Sequence, residues 1–317
     1  MSAVTSRTIR FYETGEPADV LLQETTEIPD PPAGRVRVRV IATGLNPADW
    51  QLCRGFMPGT LPRGIGCDVA GTVDAVGEGV DDAAIGDVVF GDSDYIGQPT
   101  AGAADVAILR RWFRVPDGLD PVAAATLPMV VKTAAWTLDL LAPEPGTTLL
   151  IHGAGGMVGY AAVQVALRKG VRVIATAGPT FAADLEGFGA LVTPYGDGMV
   201  NRVRTLAGGN VDLVLDTSRT NAGTVPDLIA LAGGEQRRVV TVSNHDEARG
   251  LGARVNLDEL RAGGAFPDDG VVSEYAELAA AGEFRIPIGR SFPLDEWRSA
   301  VDLSFSGNPH GKVVLVP

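Results

Sequence analysis

Residues 147–170 read TTLLIHGAGGMVGYAAVQVALRKG: an apolar run, then glycines at 153, 155, 156 and 159, then an amphipathic helical pattern ending at Gly170. A buried strand feeding a helix through glycines gathers unpaired backbone N–H groups and the positive end of a helix dipole at one point. That point suits a phosphate. The spacing is G-x-x-G-x-x-G through Gly153, Gly156 and Gly159, not the common G-x-G-x-x-G. Small residues here would also serve plain helix–strand packing, so the surroundings must decide.

From about residue 126 onward the chain alternates. Strand patterns at 148–154, 171–177, 191–195, 211–218 and 237–244 are separated by helical patterns at 157–170, 181–190, 199–209 and 221–234. Strands spaced by helices of about ten residues mean βαβ units and a parallel sheet. Residues 245–270 have no clear period, and helices at 273–283 and 294–305 precede a closing strand at 312–317. The first 125 residues differ. RVRVRVIATGL (35–45) alternates with period two, and 68–77, 86–92 and 104–116 continue the short-strand pattern between Gly and Pro turns. This is the signature of a compact β-barrel-like domain. The expected class is α/β, with a doubly wound parallel sheet beside a barrel.

The chain has 317 residues, long for one core, with 45% hydrophobic and 21% charged residues, as in globular proteins. A net charge of −13 argues against nucleic acid or an anionic membrane as partner. Two cysteines are too few for a disulfide framework and suit a reducing compartment. No run reaches the roughly 18 apolar residues of a membrane span, so a cytoplasmic enzyme is expected.

The strand after the first helix ends ATAGPTF (175–181), with no carboxylate before Asp184. An Asp or Glu at that end would accept from a ribose 2′-OH and repel a 2′-phosphate. Its absence favours NADPH over NADH, although the turn also lacks a cation.

GLNPADWQLCRG (44–55), GCDVAGTVDAVGEGV (66–80), ATLPMVVKTAAWTL (125–138), LLIHGAGGMVGYAAVQVA (149–166) and GKVVLVP (311–317) occur in that order. Together they resemble the zinc-free quinone oxidoreductase branch of the medium-chain dehydrogenase/reductase superfamily. The resemblance implies a GroES-like β-barrel domain over 1–125 and 284–317 and an inserted Rossmann domain over 126–283. It implies a nicotinamide cofactor in the cleft between them, and a homodimer. Residue by residue, it implies that Gly153, Gly156, Met157, Val158 and Gly159 meet the pyrophosphate, and Thr176 and Gly178 the adenosine ribose. Tyr195 falls near a 2′-phosphate, Ser243 and Asn244 near the nicotinamide ribose, and Asn46 and Thr133 near the nicotinamide. Where relatives place a phosphate-binding lysine this chain has Phe181, and Arg219 is the substitute cation expected from a neighbouring loop.

The zinc-dependent relatives use Cys where this chain has Asn46, and a His-Glu pair where it has Cys67 and Asp68. A catalytic zinc needs three protein ligands, and this set is poor; no metal is expected. His152, His245 and His310 read as satisfied or solvated side chains. Without a Lewis acid the hydride acceptor must already be electron-poor, as a quinone or an α,β-unsaturated carbonyl is. The site then needs orientation and donors where oxygen gains charge. Asn46 and Thr133 are the expected donors. The proton comes from water or Lys132, which alternatively snorkels outward. Asp49 is expected to stabilise a turn or helix start. Trp50, Phe56 and Tyr95 either line a substrate pocket or fill core. The leading expectation is an NADPH-dependent quinone or enone reductase. An enoyl thioester reductase of a biosynthetic pathway and a non-catalytic NADPH-binding protein are the alternatives.

Overall fold

The computed structural model describes residues 3–219, 222–263, 270–307 and 309–317. Two compact units emerge: residues 1–129 with 272–317, and residues 130–271. The second exchange falls within the helix Gly270–Ala280.

In the first unit, alternation at 35–45 produces the strand Val36–Gly44, and its valines explain why it sits centrally. Val36, Val38 and Val40 point into a core with Val69, Val73, Val89, Ala107 and Leu109. Each such side chain removed from water contributes about 1.5–3 kcal/mol. The strand pairs antiparallel with Asp68–Val76 on one side and Val106–Arg114 on the other, so that Val36 faces both Val76 and Leu109. Strand Val88–Ser93 joins those two neighbours, closing the four strands on themselves. Closure removes the open edges that a sheet must otherwise protect. The last strand, Lys312–Val316, pairs antiparallel with the end of Val36–Gly44 through Val314 and Leu315. Strand Ile288–Pro293, not distinguished in the sequence, runs parallel beside it.

The second unit holds a six-stranded parallel sheet. In chain order its strands are Thr148–His152, Arg172–Thr176, Leu191–Thr193, Leu213–Asp216, Val239–Thr241 and Arg254–Val255. Their spatial order is third, second, first, fourth, fifth, sixth. The order reverses between the first and fourth strands, where doubly wound sheets bind ligands beyond the carboxyl ends. The structure thus has the expected fold class. The unreadable segment contains helices His245–Leu251 and Asn256–Arg261 flanking the sixth strand. That strand is only two residues long, too short to show a period. The helix expected at 221–234 is Val225–Leu231; Asn221 lies outside the described residues, as do 264–269 within the segment 245–270. No helix among the described residues is long and apolar enough to cross a membrane.

Candidate active site

The four loop glycines divide into two kinds. Gly153 has φ +80°, and a Cβ there would lie 2.6 Å from the Ser218 backbone. A Cβ on Gly159 would strike Thr217 Oγ1 and the Ala154 backbone. These two glycines allow the loop to pack against the fourth strand's end. Gly155 and Gly156 differ: their nearest neighbours would be Phe181 at 4.0 Å and the Gly153 carbonyl at 3.4 Å. Packing alone therefore leaves Gly155 and Gly156 unexplained, and a side chain there would fill space over the helix start. Gly156 is the N-cap of helix Met157–Arg168 and has no side chain to cap it. The N–H groups of Met157, Val158 and Gly159 thus open the helix without intrahelical acceptors.

The floor of the loop is a buried hydroxyl. Thr176 Oγ1 lies 2.8 Å from His152 Nδ1 and accepts from Gly153 N at 3.0 Å. Burial holds the His152 pKa below its usual value, favouring the neutral ring. Both residues therefore shape the loop, and the satisfied reading of His152 describes its environment. Beyond the second strand, Gly178 faces Tyr195, whose hydroxyl would be 3.7 Å from a Cβ at 178. Phe181 is buried edge-on against Tyr160, 5.4 Å between centroids, which explains why no lysine stands there. Tyr160 donates to Asp184 Oδ2 at 3.0 Å, so that carboxylate serves packing. Arg219 is exposed. The cation tied to the Tyr195 loop is Arg202, overlooked in the sequence. It donates to Thr193 Oγ1 (3.0 Å), Asp197 O (2.7 Å) and Pro194 O (2.9 Å).

At the switch point lies a second feature not foreseen, Asp216. It is fully buried and accepts from Ser218 N (3.0 Å) and Ser218 Oγ (2.6 Å) at one oxygen. Its other oxygen accepts from Thr241 Oγ1 and Asn244 Nδ2, both at 2.8 Å. Ser243 donates to the Ser218 carbonyl at 2.5 Å. Ser243 and Asn244 are thus fastened to the end of the fourth strand. Lys132 and Thr133 are half-buried in helix Pro128–Leu141, and the Thr133 carbonyl accepts from Thr137.

In the first unit, a buried polar ring surrounds Asn46. Strand Val36–Gly44 ends two residues before it, and Asn46 caps helix Pro47–Cys53. Asp49 does what the sequence suggested: Oδ2 accepts from Asn46 N at 2.7 Å, fixing the helix start. Its Oδ1 accepts from Gly66 N (2.8 Å), Cys67 N (3.2 Å) and the Cys67 thiol (3.4 Å). Asn46 Nδ2 donates to Gly44 O (3.1 Å) and Asp68 Oδ2 (2.9 Å). Both of its amide hydrogens are therefore committed within the protein. Lys312 Nζ donates to Asn46 Oδ1 and lies 3.4 Å from Asp68 Oδ2. Asp68 Oδ1 also accepts from Met129 N at 3.1 Å. Lys312 and Asp68 are only 3% and 1% exposed. Burial raises the Asp68 carboxyl to about 6 against the pull of Lys312 and Asn46. Burial, reinforced by Asp49, raises the Cys67 thiol well above its ordinary value and Cys53 to about 12. Both stay protonated. Trp50 is buried and packs at a tilt against Phe305, 5.7 Å between centroids, and Tyr95 lies under Arg110 at 5.1 Å. Phe56 is exposed.

Comparison with known proteins fits this construction. Residues 32–112 match the family model of the alcohol dehydrogenase GroES-like domain, and 195–315 that of zinc-binding dehydrogenase. The pig quinone oxidoreductase is 30% identical over 329 residues, covering 97% of each chain. The chain belongs to the medium-chain dehydrogenase/reductase superfamily, in its quinone oxidoreductase-like branch. It is an oxidoreductase. A quinone oxidoreductase structure from Coxiella burnetii superposes with TM-score 0.80 at 25% identity, covering 99% of this chain and all of the other. Erythronolide synthase EryA2 of Saccharopolyspora erythraea is 34% identical over 295 residues, 89% of this chain. This chain spans only 8% of that much longer synthase.

The zinc of the second family name does not suit these residues. Lys312 already places an ammonium on Asn46 Oδ1 and against Asp68 Oδ2, and Asn46 stands where a third N, S or carboxylate ligand would be needed. A metal would have to displace that ammonium from the same oxygens. Among the described residues no three His, Cys, Asp or Glu side chains are grouped to hold an ion.

Proposed function

We propose that this oxidoreductase is a metal-independent reductase that uses NADPH and acts on a quinone or an α,β-unsaturated carbonyl compound. The observation that carries the cofactor half is the pair Gly155 and Gly156. Neither is needed for packing, and both leave backbone exposed at a helix N-terminus beside the sheet's switch point. Gly153, Met157, Val158 and Gly159 complete the pyrophosphate cradle. Thr176 and Gly178 floor the ribose pocket. Ser243 and Asn244, held through Asp216, take the other ribose. The preference for a 2′-phosphate follows from Asp184 being spent on Tyr160, with Tyr195 steadied by Arg202. When bound, the dihydronicotinamide supplies the hydride; the protein supplies geometry and electrostatics.

On the acceptor side, the Thr133 hydroxyl is the hydrogen-bond donor and Lys132 or water the proton source. Asn46, expected to donate to the acceptor oxygen, has no amide hydrogen left for it and instead holds the buried ring in register. A second reading, an enoyl thioester reductase, is favoured by the 34% identity to a segment of the polyketide synthase EryA2. A homodimer, expected from the resemblance, is checked by sedimentation. The decisive experiment follows NADPH and NADH oxidation against a panel of quinones, enones and enoyl thioesters. NADPH oxidation with quinones or enones fastest supports the first reading, and thioesters fastest the second. Absence of nucleotide binding overturns both.

A further inference from the structure

Arg202 belongs to helix Met199–Ala207, and its side chain turns back under the loop that carries Tyr195. An arginine has five N–H donors in a rigid fork. Nε donates to Thr193 Oγ1 at 3.0 Å, one Nη1 hydrogen to Asp197 O at 2.7 Å and one Nη2 hydrogen to Pro194 O at 2.9 Å. That leaves two N–H groups without an acceptor among the described residues. All three acceptors are neutral, and Asp197 offers its carbonyl rather than its carboxylate. Other arginines of this unit are balanced. Arg249 and Arg254 pair with Asp258 and Glu259. Arg172 donates to the Leu206 and Ala207 carbonyls, at the negative end of helix Met199–Ala207. The Arg202 fork lies at the opposite, positive end. A Cβ on Gly198, the helix N-cap, would be 2.9 Å from its Nη1, and no acid stands in the first turn. A half-buried guanidinium is therefore fixed in place with no ion pair among the described residues.

Its anchors set it beside the ends of the second and third strands. Thr193 closes the third strand opposite Thr176 and accepts from Ala177 N at 3.1 Å. Pro194 leads into Tyr195, whose hydroxyl would lie 3.7 Å from a Cβ on Gly178. Tyr195 is 61% exposed, so a ligand can reach this corner. The turn after the second strand brings no cation of its own, since Phe181 is buried against Tyr160.

We propose that Arg202 is the specificity-determining cation of the nucleotide site, its two remaining N–H groups taking the 2′-phosphate of NADPH beside Tyr195 and Gly178. A phosphate accepts charge-assisted hydrogen bonds from such a fork, whereas the 2′-hydroxyl of NADH brings no charge to meet it. The assignment rests on the reading of the chain as a nicotinamide-dependent reductase, and every residue it uses lies within the unit 130–271.

The test compares ligands that differ only in the 2′ group: adenosine 2′,5′-bisphosphate against adenosine 5′-monophosphate, and NADPH against NADH. Each is titrated by calorimetry into the wild type, Arg202→Gln and Arg202→Lys, after circular dichroism has checked the fold. The wild type should bind the bisphosphate at least about tenfold tighter than the monophosphate, as charge-assisted hydrogen bonds predict. Arg202→Gln should lose that preference while the monophosphate and NADH keep their Kd within about twofold. Arg202→Lys, which keeps the charge but not the fork, should fall between. Equal weakening of all four ligands in Arg202→Gln overturns the proposal, by making the arginine only a brace for the loop. So does an unchanged preference, a preference lost in Arg219→Gln instead, or an Arg202→Gln protein that does not fold. A wild type that binds bisphosphate and monophosphate equally overturns it without any variant and leaves nucleotide binding standing. A wild type that binds none of the four overturns the functional reading itself, an outcome distinct from the others.

Discussion

Two buried carboxylates, one in each unit, are satisfied in different ways. Asp216, at the switch point of the parallel sheet, accepts four hydrogen bonds from neutral donors: a backbone N–H, two hydroxyls and an amide. All come from short side chains or backbone at strand ends within 28 residues of it in sequence. Asp68, in the barrel unit, depends on one long lysine 244 residues away, with help from Asn46 and a helix N–H. Distributed neutral donors make a hub that can lose one member and survive. A charge pair concentrates the same task in a single contact, and its failure leaves an uncompensated charge in a dry interior.

The contrast is most severely tested by Lys312→Met alone. It should destabilise the protein by about 3–5 kcal/mol, read by urea unfolding, because the partner charge stays buried. A loss as small as that of a hydroxyl would erase the distinction between the two carboxylates. Next comes the loop beside Asp216. Gly153→Ala combines a left-handed φ with a collision against the Ser218 backbone and should cost about 2–3 kcal/mol. Gly155→Ala, with open space around its Cβ, should stay within about 0.5 kcal/mol. If both variants are equally stable, the division of the glycines into packing and ligand positions is wrong. Gly156→Val should keep the fold while weakening NADPH binding at least about tenfold, since a branched side chain blocks close backbone approach. Thr241→Val removes one of four donors to Asp216 and the acceptor of the Ser243 and Asn244 N–H groups, and should cost about 1–3 kcal/mol.

The last test is in pH. The Asp68 carboxyl is raised from its ordinary 3.8 to about 6 in the folded protein. A raised folded pKa means the native state binds the proton more tightly, so this contribution to stability is complete below pH 3.8 and is lost as pH rises through about 6. The stability difference between wild type and Asp68→Asn, followed by urea unfolding across that interval, should change there and be level above it. A difference independent of pH would show that Asp68 titrates where an exposed carboxylate does.

These contrasts also mark what sequence can disclose. The glycine loop and the alternation after it were legible because each strand and helix is long enough to show its period, and because the loop lies between consecutive elements. Asp49 was legible for the same local reason, three residues from the backbone N–H it accepts from. The ring around Asn46 was not. Lys312 stands 266 residues from Asn46, and no local pattern shows that two such positions meet. One signal was present: a lone lysine heading an apolar strand. Asp216 carried a similar signal, an acid closing the run VDLVLD. The role of Arg202 was masked by the ordinary look of a basic residue on an amphipathic helix. Its three acceptors become visible only once the Tyr195 loop is folded over it.

The discontinuity of the barrel unit bears on how the chain is made. Residues 130–271 are contiguous and can assemble as soon as they emerge from the ribosome. The unit begun earlier must wait: its strand Val36–Gly44 lacks a neighbour, and Asp68 its counter-ion, until Lys312–Val316 is translated. During that interval an unfinished sheet edge and an unneutralised acid stand open to chaperones, so synthesis that stalls just short of residue 312 would deliver a finished insert flanked by an incomplete host.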